Sequence, residues 1–267
     1  MTTAHSRRPG PLGPRGLRVI AGVGTTAAVL GLVTACGASA DDDKTPERRT
    51  FSLPGRTLTL DSDDSALDVV ASDHVKDVRV TRWFDGRTVL GGSPKVTWKQ
   101  SAEGDKLTFR VKCSGVISNC SAKHRVVVPR GVAVTILNHD GQVTASGFRD
   151  PLKVRSADGS VTVRNTSGPL ELHSTDGSVR TDKVTSKRVS ADSQDGSVRL
   201  ELDAVPDRVR ARSKDGSVTV ALPDARYRVD TESVDGGVDV SVPRADDSPH
   251  QVSVRSVDGN ITVRAAN

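Results

Sequence analysis

Large rings are nearly missing from this chain. Four Phe, two Trp and one Tyr serve 267 residues, and after Phe148 only Tyr227 remains. A globular core usually draws much of its buried area from such rings. The C-terminal half is therefore either disordered or packed with small aliphatic residues used many times over. Charge of one sign is also lacking. The formal net charge is +5, but Arg7, Arg8, Arg15 and Arg18 stand in a first stretch, residues 1–35, that holds no acid. Without that stretch the balance is 34 − 33 = +1 over 232 residues. A basic excess drives nonspecific phosphate binding, so nucleic acid is not an expected partner. Cysteines number three, Cys36, Cys113 and Cys120. Neither HxH nor HExxH, GxSxG or a P-loop occurs. The reading is of a protein that is not an enzyme, with no catalytic residues, no cofactor and no metal site.

The N-terminus reads as an address. Residues 1–18 are polar and basic, residues 19–35 are apolar and uncharged, and Val33-Thr34-Ala35-Cys36 follows. That order is the pattern of a secretory signal. The tetrapeptide resembles the lipobox of bacterial lipoproteins, which implies cleavage before Cys36, a diacylglycerol on its thiol, and attachment to a membrane at the extracytoplasmic face. Arg7-Arg8 leaves the twin-arginine and general export routes both open. A retained membrane helix is disfavoured, because seventeen residues with three Gly and three Thr make a weak span. A formal GxGxxA at Gly22–Ala27 has no strand before it and no acid about 20 residues on, so it is not a nucleotide site. Residues 36–50 are small and charged and read as a lipid-anchored flexible tether, reaching on the order of 20 Å.

A repeated cassette organises what remains. Asp-Gly recurs at Asp140, Asp158, Asp176, Asp195, Asp215, Asp235 and Asp258, with spacings of 18, 18, 19, 20, 20 and 23. Ser stands two residues before each Asp, except for Asn138 in the first copy. Apolar residues stand four and six before and three and five after, with Thr231, Ala145 and Thr181 as weaker members. This is period-two alternation on both sides of a tight bend. Charged and Thr residues fill the other parity, as a solvated face requires. Helices find no support, since the period is wrong and β-branched residues dominate. Each cassette reads as strand, Asp-Gly bend, strand, looser turn, with Gly expected at positive φ.

A meander would use each Asp-Gly as a hairpin tip, and a solenoid would use it as a corner. Identity of residue at each offset favours the solenoid, in which equivalent side chains stack about 4.8 Å apart. The expected fold is all-β: a single-stranded, β-helix-like solenoid of about seven coils of 18–23 residues, forming a rod of roughly 34 Å. Residues 51–267 form the domain, with regular repeats over 131–267 and an irregular β cap over 51–130. The cap holds strand-like runs such as Thr57–Leu60, Ala66–Ala71 and Leu107–Lys112. It also holds Trp83, Phe84, Trp98 and Phe109, for which an aromatic ligand platform is the alternative reading. The last coil, ending at Ile261–Val263, is expected to expose an edge able to pair with another copy.

The lipobox, the CSGVISNC segment, the VVVPRGVAV strand after it and the serial SxDGSV cassettes together resemble the bacterial β-strand-repeat, adhesin-like lipoproteins. The resemblance covers most of residues 51–267 and implies an exported, non-catalytic surface domain. No catalytic residue carries over from that family.

Cys113 and Cys120, in an exported chain, read as one disulfide, worth roughly 2.5 kcal/mol by loop closure. A metal pair with His124 is the alternative, but four ligands are not evident. His5 would leave with the signal, and His74, His124, His139, His173 and His250 are expected on polar faces or turns. The Asp column could bind Ca²⁺ or supply paired acids. The stronger reading is turn chemistry, because Asp before Gly hydrogen-bonds its own turn. The expected function is an adhesin-like binding or structural module of the cell envelope, with an envelope protein or a glycan as partner. Rival readings are a carbohydrate-active β-helix enzyme and an accessory protein of envelope-stress sensing.

Overall fold

In the computed structural model, residues 39–40, 43–88, 91–115 and 118–266 are described. The signal segment and Cys36 lie outside them. The described chain is all β apart from one 3₁₀ residue, Ala40. In chain order the first strands are β1 Glu47–Phe51, β2 Thr57–Asp64, β3 Ala66–Ser72, β4 Val78–Thr88, β5 Lys95–Gln100, β6 Lys106–Lys112 and β7 Ser118–Pro129. Then come β8 Ala133–Asp140, β9 Val143–Ser146, β10 Leu152–Asp158, β11 Val161–Arg164, β12 Leu170–Ser174, β13 Val179–Asp182 and β14 Arg188–Ser193. The last are β15 Val198–Glu201, β16 Arg208–Ser213, β17 Val218–Leu222, β18 Arg228–Ser233, β19 Val238–Val240, β20 Gln251–Ser256 and β21 Ile261–Ala265.

Two sheets face each other. Sheet A runs β1-β4-β7-β3-β9-β11-β13-β15-β17-β21-β19, and sheet B runs β18-β20-β16-β14-β12-β10-β8-β2-β6-β5. Each Asp-Gly carries the chain from a strand of B to a strand of A, so it is a corner and not a hairpin tip. Successive cassettes pair in parallel and in register: Leu152 with Leu170, Val154 with Leu172, Ser156 with Ser174. The expected stacking of like on like therefore holds. Between the sheets lie ladders such as Ile136, Val154, Leu172, Ala191 and Ala211 facing Val143, Val161, Val179, Val198 and Val218, all essentially fully buried. Each buried Val or Leu contributes about 1.5–3 kcal/mol, so repetition replaces the missing rings.

The stack reaches further toward the N-terminus than the Asp-Gly columns. β2 and β3 form a coil that lies directly on β8 and β9, and β6 and β7 form another beyond it. Antiparallel β5 on β6 and β4 on β7, with β1 on β4, then close that end. Strand begins before residue 51. Glu47–Phe51 is already strand, and the Asp43 carboxylate accepts the Phe84 amide at 3.1 Å. The ion pair between Arg82 and Glu47 holds β1 as well.

The C-terminal end corrects a second expectation. β20 and β21 do not finish the stack. They lie between the β16–β17 coil and the β18–β19 coil, in register with both. Ile261–Val263 is interior, and the outermost edges at this end are β18 and β19. The physical reason lies in the side chains. The inserted coil carries Val252, Val254, Ile261 and Val263, all buried, whereas the outer coil offers Thr231 opposite Val254 and leaves Val238 47 % exposed. The more apolar coil occupies the doubly covered place. The longer 23-residue spacing and the Pro243–His250 connection give the chain room to return.

Candidate functional site

The corners are built by two columns acting together. Ser174 Oγ donates to the Gly159 carbonyl of the preceding coil at 3.0 Å and accepts the Gly177 amide of its own coil at 3.1 Å. Ser193 and Ser213 repeat both bonds, as do Ser233 and Ser256 at the far end. The inward serines are thus joints between coils, and no base addresses them. In the first copy Asn138 Nδ2 donates to the Gly141 carbonyl at 2.7 Å; Asn138 Oδ1, and Ser156 Oγ of the second copy, have no hydrogen-bond partner among the described residues.

Positive φ at every Asp-Gly is not observed. Among the column glycines only Gly141 adopts it, at 112°. The other six are glycine for a different reason: a Cβ on Gly159, Gly177, Gly196, Gly216, Gly236 or Gly259 would fall well inside 3.0 Å of the glycine carbonyl on the adjoining coil. Close backbone stacking, and not turn handedness, selects the residue.

The Asp side chains line the exposed rim of these corners. Backbone bonds between coils fix their order: Asp176 N to Ala157 O, Asp195 N to Thr175 O, Asp215 N to Gln194 O, Asp258 N to Lys214 O and Asp235 N to Val257 O, all at 2.8–3.0 Å. Asp64 extends the column, in register with Asp140. Hydrogen bonding to Asp158 and then Asp64 raises the Asp140 carboxyl above its ordinary range. Asp158 and Asp195 raise Asp176, and Asp215 raises Asp258, while the bond from Asp195 is the main cause that lowers Asp215. Lys214 approaches Asp215 at 3.4 Å, the one ion pair found on this rim among the described residues.

The sequence reading missed Asp64, yet its signal was present. Leu58, Leu60, Ser62, Asp64, Leu67 and Val69 occupy every cassette offset, with Ser65 in place of Gly. Ser65 Oγ meets Ser62 Oγ at 2.7 Å and His124 Nδ1 at 3.1 Å. His124 is fully buried, stacked on Phe109 at 4.6 Å, so the expectation of a polar face fails for it. Trp98 Nε1–H donates to His124 Nε2 at 3.0 Å. The ring proton therefore sits on Nδ1 and donates to Ser65, the reverse of a base that activates a serine. Burial, with the charge of Arg82 added, pushes the imidazole down to about 3. Phe109 and Trp98 serve this cluster, and the four cap rings do not assemble into one platform.

Cys113 and Cys120 are joined as a disulfide. It closes the corner between β6 and β7, where the other coils have a tight bend. Cys36 lies outside the described residues.

A surface that sequence reasoning did not single out is the outer face of sheet B. A depression of about 700 Å³ runs over β2, β8, β10 and β12 to Arg210, floored in part by Thr59, Thr135, Pro151 and Pro169. A second, of about 640 Å³, runs from His173 and Arg212 to Arg255 and Val257. Both include Asp192, so they meet there. Register explains the lining: residues of one parity on parallel strands all point outward, coil after coil.

The family profile described as Toastrack DUF4097 matches residues 118–264, more than half of the chain. No curated protein matches it. Among solved structures, the chain is similar to a candidate cell adhesion protein from Clostridium sporogenes, at 11% identity and a TM-score of 0.37, over 83% of this chain and 99% of that one. It is also similar to a candidate adhesin from Bacteroides fragilis, at 12% identity and a TM-score of 0.31, over 84% and 98%.

Proposed function

The chain belongs to the Toastrack DUF4097 family, and from that premise we propose that it is a non-catalytic, adhesin-like binding module of the cell envelope, lipid-anchored through Cys36. One observation carries the binding reading: the outer face of sheet B is a long surface with two adjoining depressions. The residue columns that invited a catalytic reading are spent on architecture. Serines join coils, glycines admit close backbone, and the aspartates form a repeating rim in which no pair differs from the rest by burial. The anchor rests on the basic and apolar segments followed by Val33-Thr34-Ala35-Cys36.

The test is a capture experiment with Gly37–Asn267, which is one compact unit. Immobilised protein is exposed to cell-envelope fractions, and the same fractions are assayed for release of reducing sugar or phosphate. Saturable capture without turnover is expected. Turnover abolished by a single Asp→Asn substitution would overturn the reading. Metabolic labelling with a fatty acid tests the anchor separately: label lost in Cys36→Ala is expected, and label retained would remove it.

A further inference from the structure

We propose that the outer face of sheet B binds a linear anionic glycopolymer, a chain of sugar or polyol units with one phosphodiester or carboxylate per repeat. The proposal rests on the binding-module reading and names the ligand of that face.

The argument begins with four arginines. Arg208, Arg210 and Arg212 are the outward residues of β16, and Arg188 lies beside Arg208 in register on β14. All four are exposed. Outward residues on one strand stand about 6.7 Å apart and neighbouring coils about 4.8 Å. The four guanidinium groups therefore form a strip of roughly 13 Å. None of the four has an ion-pair partner among the described residues, although cations elsewhere on this face do. Lys153 holds Glu171 at 2.5 Å, and Arg255 holds Asp230 and Glu232 at 3.3 and 3.2 Å. Glu171, Asp230 and Glu232 are thus already paired, whereas Asp192, in register with Arg212, and Asp207, which precedes Arg208 in the chain, hold no ion pair among the described residues, so four arginines face two free acids. A run of unpaired arginines on an otherwise balanced protein gives local positive potential without the overall excess that duplex nucleic acid needs. Guanidinium forks suit phosphodiester and carboxylate oxygens alike.

Shape supplies the second half. Arg210 lines one depression and Arg212 the other, so the strip lies where the two meet. The first depression extends from there over Thr59, Thr135, Pro151 and Pro169, neutral residues that offer hydroxyls and apolar C–H surface to sugar or polyol units. From β2 to β18 the trough crosses seven coil steps, about 34 Å. A surface with cations at its middle and hydroxyls along one arm fits a long chain with spaced charges better than a compact anion.

The experiment measures retention of polygalacturonate, poly(glycerol phosphate) and neutral dextran by immobilised Gly37–Asn267, at low and at tenfold higher salt. One or both anionic polymers are expected to bind with strong salt weakening, and dextran to pass. Which polymer binds tells carboxylate from phosphodiester. The variant Arg208→Ala/Arg210→Ala/Arg212→Ala is expected to weaken binding at least tenfold with an unchanged melting temperature, because these arginines hold no partner. Lys95→Ala/Lys99→Ala, on exposed β5, is expected to leave it unchanged. Equal retention of dextran, or full retention by the triple variant, would overturn the proposal, as would preference for duplex DNA or anionic vesicles. If the triple variant still captures envelope fractions, the binding-module reading stands and only this assignment of ligand and face fails.

Discussion

At the residue scale, glycine and histidine carry the sharpest consequences. Gly196→Ala would press a Cβ against the Gly177 carbonyl of the preceding coil, whereas Gly237→Ala meets nothing nearer than Asn260 Oδ1 at 3.4 Å. Urea unfolding should show a loss of about 1–3 kcal/mol for the first and less than about 0.5 kcal/mol for the second. Gly237 stands one place past the column glycine Gly236, so it reports what a methyl costs in such a turn without a carbonyl stacked against it. His124 is held neutral in the fold at about 3, below its unfolded value near 6.5. Its contribution is therefore complete above pH 6.5 and is lost as pH falls toward 3. Between pH 7 and pH 5 the wild type should lose about 2 kcal/mol that His124→Gln does not lose. A parallel pH profile for the two proteins would show that the ring is not desolvated. The aspartate rim has the opposite sign. The raised carboxyls of Asp140, Asp176 and Asp258 favour the fold at acid pH and cease to do so as pH rises through their folded values. Asp176→Asn keeps the turn-forming side chain and removes a charge, so its melting temperature at pH 7 should be equal or higher; a clear drop would mean that the rim needs its carboxylates.

At the element scale, the cassettes were readable because one residue type returned at one offset, and register followed from that. The β2–β3 coil was half readable. Its apolar offsets match the others, but Ser65 replaces the glycine that marks a corner, and the corner is held by Ser62, Ser65 and His124 instead. The β6–β7 coil could not be found by recurrence at all, since its corner is the CSGVISNC segment closed by a disulfide. Reducing that bond should lower stability by about 2.5 kcal/mol and loosen exchange protection in β6 and β7 first. Unfolding of the β8–β17 coils on reduction alone would contradict the picture of coils that contact only their neighbours. The arginine strip was legible as residues but not as a surface, because Arg188 and Arg208 come together only through parallel pairing of β14 and β16.

At the scale of the whole molecule, the two ends of the stack differ. Antiparallel strands with Lys95, Lys99, Arg48 and Arg49 close one end, and charged edges of this kind discourage further pairing. At the other end the chain runs past its final place and returns. Chain order predicts β16–β17, β18–β19, β20–β21; burial of the more apolar coil reverses the last two. No single cassette encodes that reversal, since it depends on comparing Thr231 and Val238 with Val254 and Ile261. The central claim is that equivalent residues stack in columns whose spatial order is set by coil burial. Paired cysteines test it most directly. Thr219 lies in register with Thr262, and Thr262 in turn with Asp239. Parallel neighbours stand within disulfide reach, and residues two coils apart, about 9.6 Å, do not. Under mild oxidation Thr219→Cys/Thr262→Cys should cross-link and Thr219→Cys/Asp239→Cys should not; the opposite outcome would mean that the coils stack in chain order and would contradict the account.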